Sequence, residues 1–431
     1  MNNNYYAYLE ALKKPFKKIA KLEFLQPDNS IAFSLDNNYK RGYMSRYDSR
    51  AFIQDGALTV NLNNGQRRRA NIVLSNLDDA FAYNVNKLWH GRRVRLSMGL
   101  VLPNGQDFYL PQGVFYLNSP AEAMEYNTKT MSYDLVDKYA VLDGTLGGIL
   151  PYTYQIDPGA NVFAAMASVL QLNKYDLSNV ATNALDMLDN VRPVFTDYYN
   201  TYTYEYTTSE GVTSTVSASE LAFQVIVDAG GNVGDIIEKL NSNFVGVYGY
   251  DPTGAFRVEP SQDDILDSNK PVLWRFSPQN SMFVGATFQV DPSQTVNDVI
   301  IVGESMEDAP VYGRATNYDG RSDTNVNIVG LRTLRDRKAE YWNATQCVDY
   351  ADWYLKRHTV TQKAVTIHSA QMFHLLENRL VSIVRTDRPG NPVEDHLIQS
   401  FTLPIGETGE MNISAVSVND FPIATKTATT L

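Results

Sequence analysis

The most constraining feature of this sequence is a series of short segments in which apolar and polar residues alternate between turn signals. From residue 19 to residue 118 these segments are IAKLEFL, SIAFSL, ALTVNL, ANIVLSN, RRVRLSMGLVL and YLPQGVFYL. Alternation with a period of two is typical of half-buried β-strands, and the Gly, Asn and Pro residues between the segments mark turns. Strands at this spacing predict a small antiparallel β-barrel or sandwich.

A second group of such segments lies near the C-terminal end. AVTIHS, RLVSIVRT, HLIQSFTLP and EMNISAVSV follow one another between residues 364 and 418. A helical pattern precedes them, and we predict a helix over residues 338–357. The C-terminal part is therefore expected to form a second barrel-like unit that carries one helix.

The region between the two groups combines helical and strand signals. Asn232 precedes four apolar residues at helical spacing, which predicts an N-capped amphipathic helix. DPTG, residues 251–254, then predicts a hairpin turn. Residues 197–220 alternate Tyr and Thr around Gly211, so they form either a two-stranded ribbon or a mobile insertion.

These patterns predict the fold class and its division into domains. The fold is mainly β with α+β insertions, and two small antiparallel β-barrels flank an α+β middle region. The N-terminal barrel is assigned to residues 1–120, the middle region with the ribbon to 121–284, and the second barrel-like unit to 285–431.

Motifs for catalysis are absent from the sequence. It contains no GxSxG, HExxH, paired CxxC, Walker loop or dinucleotide fingerprint. Adjacent carboxylates such as Asp263 and Asp264 point opposite ways on an extended chain, and the loop 319–325 lacks the terminal Glu of a calcium site. We therefore predict no catalytic, cofactor-binding or metal site, and no enzyme activity.

The histidines and the single cysteine are given structural interpretations. The five histidines occur in different contexts: His90, His358, His368, His374 and His396. His368 is expected on the polar face of a strand and His374 in a surface connection, because no further ligand stands at metal-site spacing. Cys347 lies in the helical segment and is expected to be a buried, inert thiol.

Two short runs, RRRA and GRRVR, are the only basic clusters in a chain with a net charge of −11. They contain Arg67, Arg68, Arg69, Arg92, Arg93 and Arg95. Two interpretations stay open: a basic seam that pairs with acidic residues of another subunit, or the solvent face of two strands. The acidic balance disfavours a surface that grips nucleic acid. The 27 tyrosines favour half-wet β surfaces and protein partners.

No apolar run is long enough for a transmembrane helix, and no apolar stretch follows the N-terminal lysines as a secretory signal would require. A protein made and kept in a cytoplasm, or one that leaves it without a signal, is therefore expected.

The order of these elements resembles the central hub proteins of phage tails and related contractile machines, including T4-like baseplate hubs, Mu-like and P2-like tail hubs and the shaft of type VI secretion spikes. The resemblance rests on GALTVNLNNGQRRRANIVLSN, on the segment ending in GVFYL, on MSYDLVDKYAVLD, on VGDIIEKLNSNFVGVYGYDPTGAFRVEP, and on NDVIIVGES with the helix and strands after it. HLLENRL stands where many relatives have a PGD turn, so the match is weaker there.

The resemblance implies a structural virion protein, a homotrimeric hub that adapts a sixfold tail tube or distal ring to a threefold tip and forms part of the DNA exit channel. Its implied partners are further copies of itself, the tail tube or distal tail protein, tip, spike or fibre proteins, the tape-measure protein, and DNA that passes without specific binding. Its implied location is the tail tip of the virion. Two alternatives remain: the structural front of a tail-associated cell-wall hydrolase, and a host-glycan-binding module that uses the tyrosine-rich ribbon at 197–216.

Overall fold

β-Strands dominate the molecule, as the sequence predicts: they hold 50% of the residues, and helices hold 17%. The computed structural model describes residues 3–430 except 27–28, 38–52, 64, 77–81, 83–90, 127, 177–202, 208–212, 218, 244–245, 260–271, 281, 305–309, 340, 362, 407–408 and 419–421. The mainly β fold class is therefore confirmed.

The N-terminal strands pair as antiparallel neighbours, because each one has an apolar face to bury. They are β1 (Lys18–Leu25), β2 (Ile31–Asp36), β3 (Ile53–Asn61), β4 (Arg68–Ser75), β5 (Arg93–Val101), β6 (Asp107–Glu125) and β7 (Thr128–Asp137). Their order in the sheet is β3-β4-β7-β6-β5-β1-β2. Helix α1 (Asn3–Leu12) packs the buried side chains of Tyr8 and Leu12 into the same core.

The middle region has its own core and short elements. They are β8 (Tyr154–Ile156), α2 (Val162–Asp176), β9 (Thr203–Thr207), β10 (Thr213–Ser217), β11 (Val225–Val227), α3 (Val233–Asn241), β12 (Val247–Tyr250) and β13 (Phe256–Glu259). β9 and β10 pair antiparallel, so the predicted ribbon is confirmed. The predicted turn between β12 and β13 is also confirmed, with Asp251 Oδ1 accepting from the main-chain N–H of Thr253 and Ala255.

A capping box starts helix α3, as the sequence predicts. Asn232 Oδ1 accepts from the N–H of Asp235 at 2.9 Å, and Asp235 Oδ2 accepts from the N–H of Asn232 at 2.9 Å. We expect Asn232→Ala to lower the free energy of unfolding by about 1 kcal/mol, because it leaves one helix N–H without its acceptor. Asn232→Asp, which keeps the acceptor, is the matched control in urea denaturation. Equal losses in both variants would contradict the capping role.

Within its described residues, the C-terminal part supplies ten strands and two α-helices. They are β14 (Val272–Phe276), β15 (Phe283–Val290), β16 (Asp298–Gly303), β17 (Val311–Asn317), α4 (Val326–Val329), β18 (Thr333–Lys338), α5 (Ala344–Thr361), β19 (Lys363–Ser369), β20 (Leu380–Val384), β21 (Val393–Pro404), β22 (Met411–Ser417) and β23 (Ala424–Thr430). β19 to β22 agree with the predicted strand segments.

The two ends of the chain share one sheet, which differs from the two separate closed barrels predicted. β21 is 12 residues long and pairs with β20 through its first half and with β3 through its second. The result is a sheet of 13 strands, and no barrel closes in the described part of the chain. In two closed barrels, each barrel would pair its own edge strands. Here β3 and β21 pair with each other instead, so these two edges are not left unpaired. The domain boundaries near residues 120 and 285 stay predictions.

The shared sheet is nevertheless strongly curled. Lys18 Nζ, at the start of β1, donates to the carbonyl oxygen of Pro404 in β21 at 3.1 Å. These strands lie six places apart in the strand order, so the sheet bends back towards itself. One hydrophobic core fills the bend and contains side chains from both ends of the chain, among them Leu58, Leu96, Ile367 and Phe401.

A second, four-stranded sheet has the order β18-β16-β17-β23 and packs against α5. The prediction of a helix over residues 338–357 was wrong at its start, because Thr333–Lys338 pairs in parallel with β16. The helix begins only after Asn343, whose Oδ1 accepts from the N–H of Thr345 at 2.7 Å.

Candidate functional site

A cleft forms where three parts of the chain meet: the N-terminal strands, the β12–β13 hairpin, and residues 373–379 between β19 and β20. Its volume is about 430 Å³. All three parts contribute charged side chains to its lining: Arg67, Arg68, Asp251, Arg257, Glu377 and Arg379. A concave site with converging charges is the natural candidate for binding.

A buried ion pair joins the N-terminal strands to the C-terminal part at this cleft. Arg68 Nη2 lies 2.5 Å from Glu377 Oε2, and the two side chains are 1% and 6% exposed. Arg68 Nη1 also donates to the carbonyl oxygen of Gln112 at 3.1 Å. Gln112 Nε2 in turn donates to the carbonyl oxygen of Phe373 at 2.8 Å. These bonds fix the 373–379 segment against β4 and β6.

Asp137 is a buried carboxylate behind the ion pair. Its Oδ2 accepts from the N–H of Arg68 at 3.1 Å and its Oδ1 from the N–H of Tyr139 at 2.8 Å. Burial raises the pKa of Asp137 to about 7, although both hydrogen bonds and the nearby arginines act to lower it.

The raised pKa of Asp137 predicts a specific dependence of stability on pH. Between the ordinary value of 3.8 and about 7, the folded chain holds a proton that the unfolded chain has lost. The contribution of Asp137 to the free energy of unfolding is therefore present at low pH and is lost as the pH rises through about 7. In Asp137→Asn this loss should be missing.

Urea denaturation of the wild type and of Asp137→Asn at about pH 5 and about pH 8 measures how much free energy of unfolding each protein loses between the two pH values. Asp134→Asn, an exposed change on the same strand, is the matched control. An identical pH response of wild type and Asp137→Asn would contradict the raised pKa.

The β12–β13 hairpin is fixed to the N-terminal strands by cations. Lys138 Nζ donates to the carbonyl oxygen of Gly254 at 2.6 Å and lies 4.7 Å from the centre of the Tyr250 ring. Arg67 packs against Gly249 so closely that a Cβ there would lie 2.5 Å from Arg67 Nε. Gly249 is therefore required for this approach.

His374 is buried, so its predicted place in a surface connection was wrong. The N–H of Phe373 donates to the Tyr8 hydroxyl at 3.0 Å, and this hydroxyl lies 3.0 Å from His374 Nδ1. Burial lowers the pKa of His374 to about 4, so the ring is neutral at neutral pH. Tyr8 and His374 together anchor α1 beside the cleft.

The predicted basic cluster separates into buried and exposed members. Arg67, Arg68, Arg92 and Arg93 are buried within the chain, Arg69 is exposed, and Arg95 is partly exposed. Strand register relates the two runs. Arg69 pairs with Val136, Val136 with Tyr116, and Tyr116 with Arg93, so Arg69 and Arg93 lie in one row across four strands.

The second basic run makes contacts within its own part of the chain. Arg93 donates to Asn29 Oδ1 at 2.7 Å, and the Arg95 Nη1–Glu23 Oε2 distance is 3.2 Å. The Arg92 guanidinium lies 5.6 Å from the centre of the Phe33 ring. A contact to another subunit would therefore depend on Arg69 and Arg95, and the seam stays a proposal.

The other sequence candidates have ordinary surroundings. Cys347 is buried as predicted, and burial raises the pKa of its thiol to about 12. His368 Nδ1 lies 2.7 Å from Asn412 Oδ1 on the neighbouring strand. Asp319 forms an ion pair with Arg321. His90, Asp263 and Asp264 lie outside the described residues.

Metal-ligand clusters and membrane-spanning helices are both absent from the described residues. No group of three or more His, Cys, Asp or Glu side chains in that part of the chain is placed to hold a metal ion. No helix within it has the length and apolar character that crossing a bilayer requires.

The fold matches solved structures of two tail proteins. The tail protein from Neisseria meningitidis MC58 matches with a TM-score of 0.57 over 93% of this chain and 97% of its own, at 9% identity. The 43 kDa tail protein of prophage MuSo2 from Shewanella oneidensis matches with a TM-score of 0.55 over 93% of this chain and 98% of its own, at 12% identity. No protein-family model and no curated protein sequence matches the chain. The chain therefore has the fold of these tail proteins, which confirms the resemblance that its strand order indicates.

Proposed function

We propose that this chain is a structural tail protein that assembles as a homotrimeric hub in a phage-type baseplate. It adapts a sixfold tail tube or distal ring to a threefold tip and forms part of the DNA exit channel. The observation that carries the proposal is the match of fold over 93% of this chain and nearly the whole of both tail proteins. No catalytic role is part of the proposal.

The arrangement of strands supports symmetry adaptation. Each chain carries two strand groups, and three chains around an axis would present six to a sixfold partner. The β3–β21 pairing and the Arg68–Glu377 ion pair hold the two groups in a fixed relation. A rigid relation matters here, because a flexible link would let the six surfaces move independently.

Exposed apolar residues supply candidate contacts between subunits and with other tail proteins. β15 is an edge strand without a charged residue, and it exposes Val284, Phe288 and Val290. Soluble proteins usually protect such an edge with charge, proline or a covering segment. Proteins of the tail tube or distal ring, the tip, spike or fibres, and the tape measure are the proposed partners.

The β6–β7 hairpin is proposed as one of these contacts. Its end exposes 80% of Met124 and 100% of Tyr126. Replacing both with serine should leave the free energy of unfolding unchanged within about 0.5 kcal/mol, because neither side chain is buried in the single chain. The same change should reduce oligomer or partner assembly in light scattering. Lys129→Ser on the same hairpin is the matched control, and unaltered assembly in the double variant would contradict this contact.

The lumen is proposed to pass DNA without binding it. A net charge of −11 repels phosphate groups, so DNA would leave the channel without forming contacts that must be broken. Arg69, which is exposed, and Arg95, which is partly exposed and paired with Glu23, would lie at subunit seams, where acidic groups of a neighbouring copy add to the charges that face them.

Electron microscopy of the purified protein tests the proposal. We expect class averages of a threefold ring with an open centre. Compact particles without a central opening would contradict it.

The two other functions each have a direct test. Peptidoglycan release by the purified protein would instead support a cell-wall hydrolase. Glycan binding that disappears on deletion of residues 197–216 would support a host-binding module.

A further inference from the structure

Four large apolar side chains are exposed at one end of the four-stranded sheet. They are Tyr318, Ile328, Leu331 and Ile423, and each is between 48% and 70% exposed. Tyr318 follows β17, Leu331 precedes β18, Ile423 precedes β23, and Ile328 lies on α4 just before Leu331. The strand register puts these strand ends at the same edge of the sheet, where neighbouring strands are about 4.8 Å apart. The four side chains therefore form one surface, the sheet-end patch.

The loops that carry this patch are fixed by two asparagines, Asn297 and Asn317, which are fully buried. Asn297 Oδ1 accepts from the N–H of Arg332 at 2.8 Å, and its Nδ2 donates to the carbonyl oxygen of Gly330 at 2.8 Å. Asn317 Nδ2 donates to Ser322 Oγ at 2.8 Å. Exposed apolar patches mark sites of protein interaction, and a patch already held in one shape loses little conformational entropy when a partner binds.

Arg332 gives the sheet-end patch a positive charge at its edge. The side chain is exposed and is adjacent in sequence to Leu331. Its Nη1 donates to the carbonyl oxygen of Pro292 at 2.9 Å, and no carboxylate among the described residues forms an ion pair with it. The nearby Asp319 is already paired with Arg321. A surface that combines apolar side chains with one carboxylate would therefore complement the patch.

The end of the β6–β7 hairpin has this combination. Residues 121–126 are all exposed, so both faces of the hairpin end are open. Met124, Glu125 and Tyr126 follow one another there. Glu122 is paired with Lys129, with 2.8 Å between Oε1 and Nζ, whereas Glu125 forms no ion pair within the described part of the chain. A surface that receives the hairpin end-on would contact two apolar side chains and one carboxylate.

We propose that the hairpin end of one copy docks on the sheet-end patch of a neighbouring copy, with Glu125 facing Arg332. The proposal rests on the homotrimer proposed above and names the surface that receives Met124 and Tyr126. The hairpin and the patch are different surfaces, so the contact is heterologous. Each chain gives its hairpin to one neighbour and its patch to the other, and such contacts close into a ring when the rotation between copies returns to its start.

Charge reversal tests the contact in the full chain. Glu125→Arg and Arg332→Glu should each raise the dissociation constant of the assembly about tenfold, because each places like charges opposite one another. The combination of both changes restores opposite charges and should return the constant to within about threefold of wild type. Analytical ultracentrifugation over a range of concentrations measures all four proteins.

Asp134→Arg and Arg335→Glu are the matched controls. They reverse exposed charges of the same sign on β7 and β18, away from the hairpin end and the sheet-end patch, and should leave assembly unchanged. Unchanged far-ultraviolet circular dichroism shows that each variant is folded.

The outcomes separate this contact from the proposed trimer. A trimer that tolerates both single reversals, or that stays equally weak in the combined variant, would overturn the contact and leave the trimer standing. A dimer in which the two reversals compensate would support the contact and contradict the trimer. A chain that stays monomeric up to its solubility limit would overturn both.

Discussion

Replacing Arg68 with methionine is expected to lower the free energy of unfolding by about 3–5 kcal/mol, a larger loss than we predict for any other single substitution. The change leaves the Glu377 carboxylate inside the protein without its cation, since both side chains are at least 94% buried. It also removes the donor to the Gln112 carbonyl. Urea denaturation monitored by circular dichroism measures the loss.

Two controls separate this effect from the loss of any ion pair. Arg388→Met breaks the exposed pair with Glu394, in which the side chains are 55% and 21% exposed, and should cost about 1 kcal/mol or less. Combining Arg68→Met with Glu377→Leu removes both charges and should recover most of the stability. A loss below about 1 kcal/mol in Arg68→Met would show that the pair does not connect the two ends of the chain.

Gly313→Ala is expected to be the second most destabilising change, with a loss of about 3 kcal/mol. Gly313 lies on β17, directly under α5. A Cβ at this position would lie 2.1 Å from the main-chain carbon of Cys347 and 2.1 Å from the main-chain nitrogen of Val348. Backbone atoms cannot rotate away as a side chain can, so the helix would have to move off the sheet.

Gly285→Ala is the matched control for this prediction. Gly285 also lies within a strand, β15, but a Cβ there meets no atom within 4 Å. Its replacement should change the free energy of unfolding by no more than about 0.5 kcal/mol. Thermal denaturation of both variants distinguishes a steric cause from a general cost of replacing strand glycines, which would lower both midpoints equally.

Local signals in the sequence predicted much of the secondary structure. The alternation in AVTIHS places Val365 and Ile367 inside and His368 on the other face of β19. Asn232 and Asp251 each satisfy main-chain N–H groups within four residues of themselves. Such features depend on neighbours in sequence, so their residue types are sufficient to predict them.

The arginine cleft could not be predicted, because its contacts connect distant residues. Arg68 and Glu377 are 309 positions apart, and Tyr8 and His374 are 366 apart. Alternation places Arg68 on one face of β4 but gives no information on which segment covers that face. The RRR run was therefore interpreted either as a basic seam or as the solvent face of a strand, whereas two of its three arginines are buried within the chain.

The pairing between strand groups was missed for a related reason. Period-two alternation identifies a strand and its buried face, but not the strand that lies beside it. β21 could be recognised as a strand, but alternation does not show that its first half pairs with β20 and its second half with β3. The sequence thus predicted two groups of strands and left their junction undefined.

In the proposed homotrimer, the two strand groups of each of three chains present six surfaces to a sixfold partner. The mass of the assembled protein tests this trimer most directly. Native mass spectrometry over a range of concentrations should show a species at three times the chain mass of 48.4 kDa. A closed dimer, or a mass that stays at 48.4 kDa up to the solubility limit, would contradict the account.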